Sequence, residues 1–353
     1  MQLWSAGRYQ LRPCRTQKRP LPARSARSST RHRDRKKQGP AYVRRAFLYF
    51  LPKASYNKGV KQKLIAIVGP TASGKTSLGI YLAQKLKGEV ISCDSRQVYK
   101  GLDIGTGKVT KKEMVGIKHH LLDVVSPKKQ FTVDHYVRLA DKACSSVLQN
   151  TRIPIVVGGT GLYIDMLTGR MSYPKVDPNE ALRAKLEKKT PAQLFAMLEK
   201  ADPVRAKTID HYNPRRLVRA IEIAKAIGAS PAPTTEQKYD VLWLGINPPQ
   251  KKLEANIHKR LVSRMRAGML AEARRLHKQG LSYKRMEELG LEYRYLARLL
   301  QGKLAHKEFM AQLEHAIRDY AKRQNSWFKR NPDIRWVGSK TEALRLAKAF
   351  LSR

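Results

Sequence analysis

Acidic residues are scarce in this chain: 28 Asp and Glu stand against 71 Lys and Arg over 353 residues, for a formal net charge of +43. Such an excess repels itself and attracts polyanions. Cysteine is scarcer still. Cys14, Cys93 and Cys144 are scattered without C-x-x-C spacing, which argues against a disulfide framework or a cysteine zinc site and fits a reducing compartment. Long apolar runs are also missing. The longest, such as Leu64 to Val68 and Ile153 to Val157, fall far short of the roughly 18 residues needed to cross a bilayer, so a soluble chain with no membrane partner is expected. What is present suffices for a core: 42% of residues are hydrophobic, which excludes wholesale disorder and suggests one large domain or two.

The charge is unevenly spread. Residues 1–63 hold 18 bases and a single acid, Asp34, a net of +17, and the rest of the chain carries +26. Residues 1–62, with the run Arg31 to Lys37 preceded by Ser25 to Thr30, Pro20 and Pro22, lack apolar periodicity and are expected to form a basic, disordered extension. Its Arg- and Ser-rich composition is that of a transit peptide, without an amphipathic stretch, and the apolar patch Ala46 to Leu51 is too short for a secretory signal. An RNA-contacting arm, a targeting segment and an artefactual upstream start stay open. The expected location is cytoplasmic, or organellar if the extension is a transit peptide.

From Lys63 the pattern changes. Leu64 to Val68 is followed by glycines and then by Leu78, Leu82 and Leu86 at helical spacing. Further buried strands are expected at Glu89 to Cys93, Leu121 to Val125, Ile153 to Val157 and Val241 to Ile246, with helices such as Val133 to Leu148 between them. Alternating strands and helices predict an α/β fold, a parallel sheet covered on both faces. After Gly169 come short helical patterns, Leu182 to Leu186 and Ala192 to Leu198, then a helix from Pro214 to Ile227 with Asn213 as N-cap and Gly228 as stop. The linker Ser230 to Thr235 returns the chain to the sheet, and long helices are predicted over Lys251 to Gln279 and Lys307 to Phe328. The expected division is a core over 63–175, an α-helical insertion over 176–236, and the rest of the core with basic helices over 237–353.

Gly69, Pro70, Thr71, Ala72, Ser73, Gly74, Lys75 and Thr76 fit G-x-x-x-x-G-K-[ST] between a predicted strand and helix, the context in which the pattern is a phosphate-binding loop. The backbone can wrap closely, the helix N-terminus supplies positive potential, Lys75 adds charge and Thr76 can hold Mg²⁺. The loop itself calls only for two or more linked phosphates. Nucleoside kinases, ATPases and transferases with diphosphate donors all need such a cradle.

Asp94 ends the second strand, at the carboxyl edge where open α/β sheets bind ligands. It can bind a cation, hold a ribose, take a proton or cap the following turn. Gly101 to Gly107 is expected to be a flexible loop nearby, with Asp103 a possible turn former. Val157, Gly158, Gly159 and Thr160 close another strand at the same edge, where Thr160 either faces a ligand or caps the next helix.

The phosphate loop, followed by Asp94, Ser95, Arg96, Gln97, Val98 and Tyr99 and then by Gly101 to Thr106, resembles the tRNA dimethylallyltransferase family, also called tRNA isopentenyltransferases. His119 to Asp123, Val157 to Tyr163, Asn213 to Ala220, and Ala321 to Gln324 before Trp327 continue the resemblance in order, over roughly residues 63–338. It implies a P-loop NTPase-like core with a helical insertion. It also implies transfer of a dimethylallyl group from dimethylallyl diphosphate, with Mg²⁺, to the exocyclic amine of the adenine just 3′ of the anticodon. By that resemblance Asp94 is the general base. Lys75 and Thr160 join it in catalysis, Gly69 to Thr76 with Arg260 bind diphosphate, and Thr76 meets the metal. Arg264 and Arg266 are near enough in sequence to compete with Arg260 for that assignment. The anticodon stem-loop would meet Asp94, Ser95, Arg96, Gln97, Thr160, Arg183, Arg215, Arg216, Leu217, Arg219, Lys322 and Arg323.

On the helix after Asn213, the apolar stripe Leu217, Ile221 and Ala224 leaves Arg215, Arg216 and Arg219 free for phosphates. On the last long helix, Leu313, Ile317, Tyr320, Gln324 and Trp327 form a buried face, and Arg318, Lys322, Asn325 and Lys329 line another. His119 and His120 have no metal-ligand spacing and are read as structural. Gly290 to Arg294 departs from the family's usual Gly-Tyr pair. A monomer is expected. The rivals are an adenylate isopentenyltransferase acting on free nucleotides, a small-molecule kinase, and a non-catalytic RNA-binding protein with a relict loop.

Overall fold

The computed structural model describes residues 61–172, 174, 176–229 and 237–353. The basic extension up to residue 60 and the Ser230 to Thr235 linker lie outside the described residues.

Five predicted apolar runs lead to four strands. β1 (Gln62–Val68), β2 (Gly88–Cys93), β4 (Ile153–Gly158) and β5 (Tyr239–Gly245) are nearly continuous in buried residues, as strands covered on both faces must be. Two short edge strands, β3 (His119–His120) and β6 (Arg335–Trp336), complete a six-stranded sheet in the order β3-β2-β4-β1-β5-β6. Every pairing is parallel. The fold class is as expected.

Leu121 to Val125 is not a strand. Leu121 and Asp123 take left-handed φ values of 63° and 56°, which turn the chain out of the sheet after His120, and only an isolated bridge pairs Val125 with Tyr99. The helix predicted over Lys251 to Gln279 is two, Gln250–Arg266 and Met269–Lys278, broken at Ala267 and Gly268. β6 gives no sequence signal because two exposed residues carry no periodicity.

His120 and His119 are each tied to a neighbouring group of the fold. His120 Nε2 lies 2.6 Å from Glu89 Oε2, His119 Nδ1 lies 2.9 Å from Ile117 O, and burial lowers the His119 pKa.

Four helices, Glu180–Leu186, Pro191–Ala201, Pro203–Ala206 and Pro214–Ile227, follow the fourth strand with a separate apolar core of Leu186, Leu194, Leu198, Leu217 and Ile221. Three of them begin with a polar N-cap followed by proline: Thr190-Pro191, Asp202-Pro203 and Asn213-Pro214. Proline's fixed φ suits the first helical position, and its missing N–H would be unbonded there in any case. Asn213 caps as predicted, accepting from the Arg216 N–H at 3.3 Å.

Candidate active site

The strand order brings the carboxyl ends of β2, β4, β1 and β5 side by side. Gly69 leaves β1 with φ 144°, and a Cβ there would lie 2.2 Å from Ile246 O, so the chain leaving β5 presses against the loop as only glycine permits. The loop closes into the helix Lys75–Lys85. Its Ser73 hydroxyl is buried without a partner, and Thr76 is exposed at the first turn. Lys75 Nζ donates to Pro70 O. Burial, then the Arg260 guanidinium, lower the Lys75 pKa to about 7, against a smaller opposing pull from Asp94. A helix N-terminus, an unpartnered hydroxyl and an amine of lowered pKa are the chemistry an anion with several oxygens would complete.

Arg260 Nη1 faces Thr71 Oγ1 at 3.5 Å, and burial followed by Arg264 lowers its pKa to about 10. Arg264 is committed elsewhere, to Glu292 at 3.0 Å and to Gly105 O at 3.3 Å, and Arg266 is exposed. Of the three nearby arginines, Arg260 is the one turned to the loop.

β2 and β4 pair Cys93 with Gly158, which sets Asp94 beside Thr160. Asp94 Oδ1 accepts the N–H groups of Arg96 at 2.8 Å and Gln97 at 3.2 Å, so it does cap its turn, and this use leaves Oδ2 uncommitted. Thr160 begins the helix Gly161–Thr168 without a side-chain capping bond. Its Oγ1 instead accepts the Ser95 N–H at 3.1 Å, tying the two strand ends together.

Three residues of this site were given no site role by the sequence reading. Tyr320 is buried on the last long helix, and that burial raises its phenol above the ordinary range. Gln324, 5% exposed, accepts the Thr71 N–H at 2.7 Å and donates to Gly159 O at 2.9 Å. The signal was a glutamine on an apolar stripe, because a buried amide must find partners. The third is Glu272. Its carboxylate takes the N–H groups of Asp103, Ile104 and Gly105 at 3.0, 2.8 and 2.9 Å and the Tyr293 hydroxyl at 2.7 Å. The Gly101 to Gly107 loop is therefore tethered, contrary to the expected flexibility. Gly107 O also lies 3.4 Å from Gln97 Nε2, and Asp103 pairs with Lys108 at 2.7 Å. Gly290 to Arg294 now has its contacts: Glu292 holds Arg264 and Tyr293 holds Glu272.

The basic residues divide. Arg215 and Arg216 are exposed on the insertion. Arg219 is not free: it donates to Glu222 and, at 2.8 Å, to Val176 O. Arg183 donates to the same carboxylate at 3.0 and 2.9 Å. Burial pushes the Glu222 carboxyl up, but hydrogen bonds from Arg183, the Asn179 amide and Arg219 outweigh this and hold it below the usual range. Leu217, 0% exposed, belongs to the insertion core and has no surface to offer an RNA, so its assignment as a contact is withdrawn. On the last long helix, His306–Phe328, Lys322 and Arg323 are exposed. Lys322 borders a groove of about 380 Å³ shared with Arg318, Asn325, Lys329 and the Gln250–Arg266 helix, while Arg323 lies 6.0 Å from the Tyr320 ring.

Among the described residues no group of three or more His, Cys, Asp or Glu is arranged to hold a metal ion. A hard cation here would use the exposed Thr76 hydroxyl with phosphate and water oxygens, a donor set that suits Mg²⁺. No helix among these residues is long and apolar enough to cross a membrane.

A family model described as IPP transferase matches residues 97–331. The tRNA dimethylallyltransferase 1 of Geotalea uraniireducens is 39% identical, over 82% of this chain and 96% of that protein, and the tRNA dimethylallyltransferase of Streptomyces coelicolor is 38% identical over the same shares. Among solved structures, a tRNA isopentenylpyrophosphate transferase from Bacillus halodurans superposes with a TM-score of 0.62 at 32% identity, covering 83% of this chain and 96% of its own. A eukaryotic dimethylallyltransferase acting on tRNA gives 0.71 at 25% identity, covering 82% and 80%. With a family model spanning most of its length and relatives this close over nearly all of theirs, the chain belongs to the IPP transferase family.

Proposed function

We propose that this protein transfers a dimethylallyl group from dimethylallyl diphosphate to the exocyclic amine of the adenine 3′ to the anticodon of a tRNA. The observation that carries the reading is the juxtaposition of a phosphate loop on β1 with Asp94 and Thr160 on the neighbouring strand ends. The nitrogen attacks the allylic carbon, the carbon–oxygen bond breaks, diphosphate leaves with the bonding pair, and the amine proton goes to Asp94. An adenine amine is a weak nucleophile because its lone pair is delocalised, so a carboxylate that accepts its proton speeds the attack. Asp94 Oδ1 is held by two backbone N–H groups, which orients Oδ2 for that proton. On the donor side, Lys75, the loop N–H groups and Arg260 meet the charge that grows on the leaving diphosphate. Mg²⁺, held by Thr76, would add Lewis-acid stabilisation of the same charge.

An adenine in a stacked loop must be turned out of the stack to reach Asp94, at a cost of a few kcal/mol. Exposed Arg215, Arg216, Lys322 and Arg323 supply backbone contacts that offset it. A free-nucleotide acceptor would need no such surface, and a kinase would leave Asp94 and Thr160 without a role beside Lys75. Incubation with radiolabelled dimethylallyl diphosphate, Mg²⁺ and unmodified tRNA should label the tRNA. Asp94→Ala should lower that turnover about 10²- to 10⁴-fold with tRNA affinity retained. Labelling of adenosine nucleotides but not tRNA would overturn the reading.

A further inference from the structure

Gln324, which closes the motif begun at Ala321, has no part in the chemistry above, yet it touches both halves of the site. Gln324 is buried, and each end of its amide has one partner: Oε1 takes the Thr71 N–H at 2.7 Å and Nε2 donates to Gly159 O at 2.9 Å. Contact with the turn is so close that a Cβ on Gly159 would fall 2.1 Å from Nε2. From Gly159 the connection runs through Thr160 to the Ser95 N–H, beside Asp94. From Thr71 it runs to the phosphate loop and to Arg260. The next turn of the same helix is pinned independently, by Trp327 Nε1 donating to Asp165 Oδ2 at 2.8 Å.

We infer that Gln324 is a positioning residue that fixes the spacing between the diphosphate cradle and the turn that presents the acceptor's base. Neither end of the amide is turned to a reacting group. Its effect is on where the leaving group sits relative to Asp94, and a displacement of about 1 Å between reacting groups can cost about 10²-fold in rate. Glutamine is specified because one end must accept and the other donate: a carboxylate would face Gly159 O with no proton to give. The inference rests on the prenyl-transfer reading.

Gln324→Glu tests it with little change of shape. Ionised, the new side chain keeps the Thr71 bond and loses the Gly159 bond. Protonated, it restores both, and burial raises its pKa toward the working range. With both substrates saturating, kcat of Q324E should fall about 10- to 100-fold below wild type at pH 8. The gap should narrow as pH is lowered to 6. Dissociation constants for dimethylallyl diphosphate and tRNA should stay within about threefold throughout, the pattern of an interaction that matters to the transition state rather than to binding. Gln324→Ala should show the loss without the recovery. Gly159→Ala, which displaces the amide from the other side, should lower kcat in the same way, with folding checked by circular dichroism at each pH. Wild-type kcat in Q324E and Q324A, a Q324E deficit that does not narrow, or a loss confined to the KM for the donor would overturn the inference. Absence of tRNA labelling by the wild-type enzyme would instead sink the functional reading on which it rests.

Discussion

Lys75 shows how a single side chain carries both a stability cost and a binding signal. Its pKa is lowered from 10.5 to about 7 by burial and by Arg260. With the folded value below the unfolded one, folding favours the neutral amine. The contribution of Lys75 to stability without a ligand is therefore most favourable above about pH 10.5, declines as pH falls toward 7, and is flat below that. A bound diphosphate reverses the preference and restores the charge. Calorimetric titration of diphosphate at pH 8.5, in buffers of differing ionisation enthalpy, should therefore show proton uptake beyond what the diphosphate's own titration contributes, an uptake that vanishes near pH 6. The uptake should be absent from Lys75→Arg, whose guanidinium is always charged. Much of this was readable in advance. Gly69 to Thr76 are consecutive, so their motif and its chemistry lie in one stretch of sequence. Gln324 and Glu272 were not readable as site residues, because their partners are 253 and 169 residues away.

At the scale of elements, the insertion helices separate basic residues that build from those that bind. Glu222 sits at the centre of the first group, receiving Arg183, Arg219 and the Asn179 N–H. Glu222→Ala would remove the carboxylate shared by two partly exposed guanidinium groups and should cost about 1–3 kcal/mol locally, seen as faster amide exchange across Glu180–Leu186 and Pro214–Ile227. Arg215→Ala with Arg216→Ala should leave that exchange unchanged. That pair should instead reduce the slope of log affinity for tRNA against log salt by roughly one to two, measured by fluorescence anisotropy. Helical periodicity alone placed Arg215, Arg216 and Arg219 off the apolar stripe. It could not separate them, since the distinction depends on where a buried carboxylate on the same helix points. The opposite error occurred at Leu121 to Val125, where apolar composition suggested a strand but two left-handed residues turn the chain away.

For the whole molecule, the excess of +43 splits into a body and an extension with separate tests. If the body alone meets the RNA, removing residues 1–60 should leave tRNA affinity at physiological salt within about twofold and the salt slope unchanged. A shallower slope would assign part of the extension's charge to RNA binding. The bond between Thr71 and Gln324 also has a consequence in time. Its two ends are made 253 residues apart, roughly 13 to 50 s at ordinary rates of translation. The phosphate loop thus emerges early and waits for its last strut until the final long helix has left the ribosome, so a chain arrested before that helix would carry the motif without the finished site.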